Sequence, residues 1–382
     1  TLKILMHTWR LRKHIPNSDK KKTPGANVFY ASRSQGKGPH PMQRISVSVV
    51  LLLGCCLVSA QGNQKPVTCG SCHRSQAFTQ PATQMGRAMQ LPGDNPELSA
   101  HPKLTFHSGP YLYTVETHNG QSTYSVSDGT RTLTVPIQWS MGAQAQTWIL
   151  LRDGRMYESL VSYYPNLNGL FTTVGDEHVA PKTLEEAFGR LLSDEDVRTC
   201  FGCHTTNAIV DHKLSLSTMT PGLSCEHCHV GSMAHLKNAI NGDSSTGIES
   251  LSNLSTEGIS NFCGQCHRTW ELVTRSDWRG TMNVRFQPYR LANSKCYDGA
   301  DPRISCIACH DPHRKVVNTV AYYDDKCLAC HSTAHQANAK VCPVSKNNCT
   351  SCHMPKVTFP GGNFVFTDHQ IRIVKPNEPY PN

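Results

Sequence analysis

The chain is short of charge, of long apolar runs and of aromatic residues. Charged residues make up 17% of its 382 positions, against about 25% in an ordinary soluble protein, which excludes a solvated polyelectrolyte. Aromatic residues are 7% and hydrophobic residues 38%, a modest supply for a large core built from side chains alone. The longest apolar run, Ile45 to Val58, has 14 residues, short of the roughly 20 that a spanning helix needs. Charge of one sign is missing as well. Residues 1–60 hold ten Lys or Arg and one Asp, leaving 27 of each sign in 61–382. The formal +9 therefore belongs to the N-terminal segment, and a nucleic-acid binder loses its electrostatic footprint.

That segment reads as processing information. From Met42 it runs Met-Gln-Arg into the apolar stretch 45–58 and then Val58-Ser59-Ala60, the pattern of a secretory signal peptide cleaved after Ala60. A lipoprotein variant cut before Cys55, in Leu52-Leu53-Gly54-Cys55, ranks second because it would leave an apolar stub. Residues 1–41, with Lys20-Lys21-Lys22, show no periodicity and read as sequence upstream of the start at Met42. The expectation is a periplasmic or extracellular protein with its mature start near 61 and no transmembrane segment.

What is abundant is cysteine, 18 residues, with 20 histidines. Cys-x-x-Cys-His occurs seven times: Cys69/Cys72/His73, Cys200/Cys203/His204, Cys225/Cys228/His229, Cys263/Cys266/His267, Cys306/Cys309/His310, Cys327/Cys330/His331 and Cys349/Cys352/His353. Chance at this composition predicts roughly 0.04 copies. Two thiols at this spacing reach both vinyl groups of one porphyrin, and the next residue lays its imidazole over the ring as the proximal iron ligand. Zinc knuckles do not require His after every second Cys, and a thioredoxin-like redox pair would occur once, near a βαβ pattern. The expected cofactor is therefore haem c, seven groups attached covalently. Cys296 and Cys342 remain, and in an oxidising compartment such a leftover pair suggests a disulfide.

A second axial ligand is sought among nine histidines: His101, His107, His118, His178, His212, His235, His313, His335 and His369. His313 follows His310 by three residues, too short a tether to reach the far face of the same porphyrin, so it must serve a neighbouring haem. The same reasoning applies to His235 after His229 and to His335 after His331. His369, in Phe366-Thr367-Asp368-His369, is a late, isolated candidate. His101, His107 and His118 flank predicted strands. Met85 and Met89 offer a thioether, although helical i, i+4 spacing more often means core packing.

Between the first two motifs the chain reads as β: 104–107, 111–118, 122–127, 130–137, 147–152 and 156–164, with Asn119-Gly120, Asp128-Gly129 and Asp153-Gly154 as turns. Thr183-Leu184-Glu185-Glu186 predicts a capped helix to about Leu192, and Ser193 starts another. The expected organisation is an upstream extension plus signal peptide (1–60), a first haem segment (61–100), an antiparallel β insertion (101–180) and a six-haem domain (181–382). The expected fold class is mainly α/irregular, a multihaem cytochrome c with a haem-centred core and an antiparallel β region inserted after the first haem.

The stretches CFGCHTT, PGLSCEHCHVGSMAH, CIACHDPH, YDDKCLACH and NCTSCHMPK with FTDHQIR resemble the multihaem cytochrome c superfamily of the hydroxylamine-oxidation and ammonifying nitrite-reductase type. The resemblance covers about 200 to 369 and is closest to the non-catalytic electron-transfer branch. It implies closely packed parallel and perpendicular haem pairs, with His235, His313, His369 and His335 at the positions of distal ligands. All seven motifs end in His, whereas the family's nitrite reductases carry Lys at the catalytic haem, and no cross-linking Tyr can be placed here. Both departures favour an electron carrier over an enzyme.

The functional expectation is an exported carrier moving single electrons along mostly bis-His haems between a redox donor and acceptor. Fourteen propionates would add roughly −14 to a neutral polypeptide, which suits a basic docking partner. A multihaem oxidoreductase acting on a small nitrogen or sulfur species at one open haem is the second reading. A homo-oligomer or conductive extracellular filament is the third.

Overall fold

Alternation of large apolar and small polar residues between Lys103 and Tyr164 builds a sheet that organises the first half of the chain. The computed structural model describes residues 66–143, 145–243, 247–248, 250–332, 340–375 and 377–381. The upstream extension, the signal peptide with its cleavage point at Ala60, and His335 lie outside the described residues.

The sheet has nine strands: β1 (Met89–Gln90), β2 (Lys103–Ser108), β3 (Tyr111–His118), β4 (Gln121–Ser127), β5 (Thr132–Met141), β6 (Gln146–Arg152), β7 (Arg155–Tyr164), β8 (Gly169–Thr172) and β9 (Arg190–Leu191). β2 to β8 form an antiparallel meander in chain order, β1 pairs with β5, and β9 pairs with β7. Asn119-Gly120 and Asp153-Gly154 carry positive φ at both residues, the two-residue turn whose twist matches that of the strands it joins. Asp128 shapes the β4–β5 loop by accepting from the Thr130 and Arg131 amides at 2.9 and 2.7 Å. Those donors hold its carboxyl down at about 2. The sheet curls until β2 meets β8, where the Phe106 and Phe171 rings stand 5.5 Å apart.

Period-two alternation sends Tyr111, Tyr113 and Val115 of β3 and Tyr124 and Val126 of β4 to one face. There they pack with Trp148, Leu150, Leu160 and Phe188, each fully buried aliphatic or aromatic side chain contributing about 1.5–3 kcal/mol. The second face is made by a register shift in β5 between Ile137 and Trp139. Without it the two side chains would share a face; the bulge leaves Ile137 in the first cluster and turns Trp139 into another, with Met89, Ile149, Leu192 and Phe201. Phe201 lies inside the second Cys-x-x-Cys loop. Its ring meets Trp139 edge-on at 5.3 Å, so one motif is fastened directly to the sheet.

The helix predicted to run from Leu184 to about Leu192 stops at Phe188. A Cβ at Gly189 would stand 2.7 Å from the Glu158 carbonyl oxygen; glycine there lets the chain close onto β7. Arg190 then pairs with Glu158 at 2.6 Å. The next helix, Asp194–His204, starts from a complete capping box: Ser193 Oγ accepts from the Asp196 amide, and Asp196 accepts from the Ser193 amide.

Beyond residue 205 the elements are helices of at most twelve residues and two-residue or three-residue strand pairs. A small core of Val273, Phe286 and Tyr289 adjoins a buried polar knot. Arg290 and Asp368, both fully buried, form a two-pronged ion pair at 2.8 and 2.9 Å. Arg372 adds a contact to Asp368 at 2.6 Å, and Arg290 also donates to the Pro381 carbonyl. The knot ties the C-terminal segment to the helix Gln287–Ala292.

These observations correct the expected fold class. The chain is not a mainly α/irregular cytochrome with a haem-centred core: its dominant element is a large antiparallel sheet, curled nearly into a barrel, with cores of its own on both faces. The reason is packing. Strands of up to ten residues with alternating Tyr, Val, Trp and Leu bury one another and need no cofactor to do so. The sheet also draws strands from both sides of 101–180, through β1 and β9.

Candidate metal centres

All seven Cys-x-x-Cys pairs sit on helical turns. Three close longer helices, Asp194–His204, Thr256–His267 and Val320–His331; the others lie on the short helices Cys69–Cys72, Cys225–Cys228, Cys306–Cys309 and Cys349–His353. On a helix, positions i, i+3 and i+4 share a face, so each turn presents two thiols and an imidazole together. Asp324, in the sixth motif's helix, accepts from the Asn348 and Cys349 amides at 2.7 and 2.8 Å. That clips the start of the seventh motif's helix to the sixth.

The fourteen motif thiols are not equally enclosed. Cys72 and Cys352, both expected to hold a haem, are exposed free thiols, whereas the other twelve are partly covered. In both motifs the first thiol, Cys69 or Cys349, is partly covered. The Cys349 amide is held by Asp324 of the sixth motif's helix, whereas the Cys352 sulfur lies 3.7 Å from the neighbouring Ser351 hydroxyl. Its backbone is held instead, the Cys352 carbonyl accepting from the Val374 amide at 3.2 Å. The reason is position: the five-residue helix is clipped to its neighbour at the first turn, which leaves the thiol three residues on to solvent.

Three histidine pairs stand out in space. His73 and His235 have ring centres 6.5 Å apart, His229 and His313 6.1 Å, and His310 and His369 6.2 Å. Each joins a motif histidine to a non-motif histidine that follows a different motif. A metal–imidazole bond of about 2.0 Å, with about 1.1 Å more to the ring centre, puts two imidazoles on opposite sides of one metal ion roughly 6.2 Å apart. The spacing matches bis-His coordination in all three. His229 and His313 have nearly parallel planes, 4° apart. His235 and His313, tethered too closely to their own motifs, face the first and third motifs instead.

In five of the histidines Nδ1 already has a partner. Nδ1 of His204 lies 2.9 Å from the Ala88 carbonyl oxygen, that of His331 2.8 Å from Lys340, that of His353 3.0 Å from Arg372, and that of His369 3.0 Å from Thr367. His313 Nδ1 is 3.3 Å from the Asp311 carboxylate. A donated Nδ1–H leaves Nε2 with a free lone pair, the usual outer support of a metal-bound imidazole. Burial, before any other cause, lowers His204, His267 and His310, and takes His369 down to about 4. A neutral ring is the form that binds metal. The rings of these four histidines are enclosed by protein atoms, while His204 and His369 keep part of their residue surface accessible. The residues present fit a covalently attached, axially ligated haem. Porphyrin supplies four iron ligands itself, so the protein needs to bring only two. Among the described residues no group of three or more His, Cys, Asp or Glu converges on one point.

The motifs form a connected array that departs from chain order. Thiols of different motifs lie within interaction range of one another: Cys69 and Cys225, Cys203 and Cys266, Cys263 and Cys306, and Cys327 and Cys349. Cys228 lies within electrostatic range of Cys263 and Cys266, and Cys309 of Cys327. These contacts run first, third, fourth, fifth, sixth and seventh motif, with the second joined to the fourth.

Other sequence candidates go elsewhere. His107, His118, His178 and His212 are exposed. Both ring nitrogens of His101 are engaged, by Glu97 O at 2.7 Å and Asn168 Oδ1 at 2.8 Å. Met89 is buried in the second cluster on a strand, not a helix. The expected Cys296–Cys342 disulfide is not formed: both are free thiols. Cys296 lies near Cys309 and Cys330, while Cys342 accepts from the Val344 and Ser345 amides. Each is settled by its own neighbours. The Arg290–Asp368 knot that seats His369 had no local sequence signal, because its partners are 78 residues apart. Among the described residues no helix is long and apolar enough to cross a membrane. Comparison with family models, curated proteins and solved structures gives no match for this chain.

Proposed function

We propose that this chain is an exported c-type cytochrome of seven covalently attached haems that carries single electrons between a redox donor and acceptor. The observation that supports it best is the set of three crossed histidine pairs, 6.1 to 6.5 Å between ring centres, each uniting a Cys-x-x-Cys-His with a histidine belonging to another motif's segment. Haem supplies the one-electron couple. The residues would supply the rest: the Cys pairs would hold each haem, the histidines would bind its iron, and outer hydrogen bonds would keep the imidazoles oriented. Contacts between motifs provide the continuity that ring-to-ring transfer needs. Resemblance of 200–369 to the multihaem superfamily points the same way.

The test is expression in a host with cytochrome maturation. Intact mass is expected to show seven haems, and spectra mostly low-spin iron. His313→Ala is expected to turn one haem high-spin while the haem count stays at seven. A colourless product, or zinc in place of iron, would overturn the reading. A multihaem oxidoreductase acting on a small nitrogen or sulfur species at one open haem is the second reading, favoured by Arg285, whose buried Nε has no hydrogen-bond partner. A resting high-spin signal in the wild type, with turnover of nitrite or hydroxylamine, would select it.

A further inference from the structure

A cavity of about 250 Å³ opens where the segment leading into β1, the β5–β6 turn and the loop after His313 come together. That is just under the roughly 300 Å³ at which pockets for drug-sized ligands begin, so its scale suits a small molecule. Its wall is polar, with Arg87, Glu97, Gln146 and Lys315 all lining it. The turn on one side depends on Gly142, whose φ is +102° and where a Cβ would collide with the Ala145 carbonyl oxygen. The Gly142 amide donates to the Ala88 carbonyl at 2.9 Å, which ties the turn to the segment that carries Arg87.

Gln146 is 3% exposed, and its orientation is imposed from the backbone. Asn95 caps the helix Pro96–Ala100, its Oδ1 accepting from the Glu97 and Leu98 amides at 2.9 and 3.3 Å. That leaves Asn95 Nδ2 to donate to Gln146 Oε1 at 2.8 Å and to Ser140 Oγ at 2.7 Å. The Ser140 hydroxyl donates to the same Gln146 Oε1, at 3.2 Å. With Oε1 committed twice, the polar atom that Gln146 has left is Nε2, which has no hydrogen-bond partner among the described residues. A buried donor without an acceptor is unfavourable, and the cavity that Gln146 lines is where an acceptor can reach it.

The charges on the wall are of both signs and do not neutralise one another. Arg87, Lys315 and Glu97 share one cavity, yet among the described residues none of the three takes part in an ion pair. Arg290 and Asp368, or Arg190 and Glu158, meet directly. A cavity that holds unlike charges apart fits a ligand that carries both, its anionic group toward Arg87, Lys315 and Gln146 Nε2, its cationic group toward Glu97. We propose that this cavity binds a small zwitterion of the α-amino-acid type. A haem propionate supplies acceptors but nothing to pair with Glu97, so the wall calls for a free ligand, and the inference stands apart from the haems.

The experiment is isothermal calorimetry on the protein purified from a host with cytochrome maturation. Each standard α-amino acid is titrated in turn and, for the one that binds most tightly, its analogue without the amino group. One site per chain is expected. Loss of the amino group should weaken binding about tenfold or more, the usual worth of a charge-assisted contact, and Glu97→Gln should erase that preference. Arg87→Gln and Lys315→Gln should each weaken binding by about tenfold. Gln146→Glu keeps an oxygen for Asn95 and Ser140 but puts a carboxylate oxygen where the free donor was, so binding should vanish while the strand signal in circular dichroism stays. If that variant loses its strand signal, Arg87→Gln, at a partly exposed position, decides. No binding of any amino acid, equal binding of the deaminated analogue, or binding unchanged in Arg87→Gln would overturn the proposal.

Discussion

The two halves of the described chain hold themselves together by different means. In the sheet, buried side chains cover both faces: Tyr113, Tyr124, Trp148 and Phe188 on one, Met89, Trp139 and Phe201 on the other. Past residue 205 the cluster is smaller, Val273, Phe286 and Tyr289, and buried apolar residues such as Leu223, Ile259 and Phe359 lie outside it. Large apolar side chains such as Val230, Met233, Ile240 and Ile373 stay exposed. Polar devices take over there, above all the Arg290–Asp368 pair. The contrast teaches that the sheet packs as a scaffold of its own, whereas the half that follows, with five of the seven motifs, depends on specific polar links.

The sharpest way to break the comparison is to withhold haem. Produced without cytochrome maturation, the protein is expected to keep its strand signal by circular dichroism. Limited proteolysis should then cut within 205–381 and spare 89–191. Equal loss in both halves would refute the independence of the sheet. Next comes Asp368→Asn. It leaves the Arg290 guanidinium buried without a counter-charge, at a cost of about 3–5 kcal/mol, read as a lower urea midpoint. Because His369 is the adjacent residue, one low-spin haem should be lost in the same variant, while the sheet is untouched.

A smaller effect is expected where the halves join. Phe201→Leu thins the edge-on contact with Trp139 and should cost about 1.5 kcal/mol, with spectral change confined to the haem of the second motif. Ser193→Ala removes the cap of the helix that carries that motif and should cost about 1 kcal/mol. Its pH dependence follows from Asp196. Burial alone would raise that carboxyl, but Ser193 and Arg190 bring it below its ordinary value. A depressed carboxyl stabilises fully above its unfolded value of about 3.9 and loses that contribution as pH falls through the folded one. The difference between wild type and Ser193→Ala in chemical denaturation should therefore shrink by pH 3.

Legibility in the sequence differed between the same two regions. Strand alternation in 111–118 and 122–127, and the Asn-Gly and Asp-Gly turns, are local signals, and β3, β4 and their hairpin follow them. The helix expected through Leu192 failed because pairing of Arg190 with Glu158 outweighed local helix preference. The mainly α/irregular fold class failed for a related reason: counting motifs says nothing about how well the residues between them pack. At the candidate centres, each Cys-x-x-Cys-His declares itself within five residues. The motif does not say how far each thiol is enclosed, and Cys352 is exposed where Cys349 is partly covered. Tether length excluded His235 and His313 from their own motifs, but could not say which others they would face.

What the sequence determined by itself is the chemistry carried at short range: seven thiol pairs with their histidines, and the alternation and turns of the hairpins. These depend on residues a few positions apart, whose spacing the backbone period converts directly into a shared face. Tertiary structure alone decided that His73 meets His235, that Trp139 turns over to reach Phe201, and that Asp368 meets Arg290. Each joins residues 62 to 162 positions apart. Such encounters depend on the packing of everything between them, which no local pattern encodes.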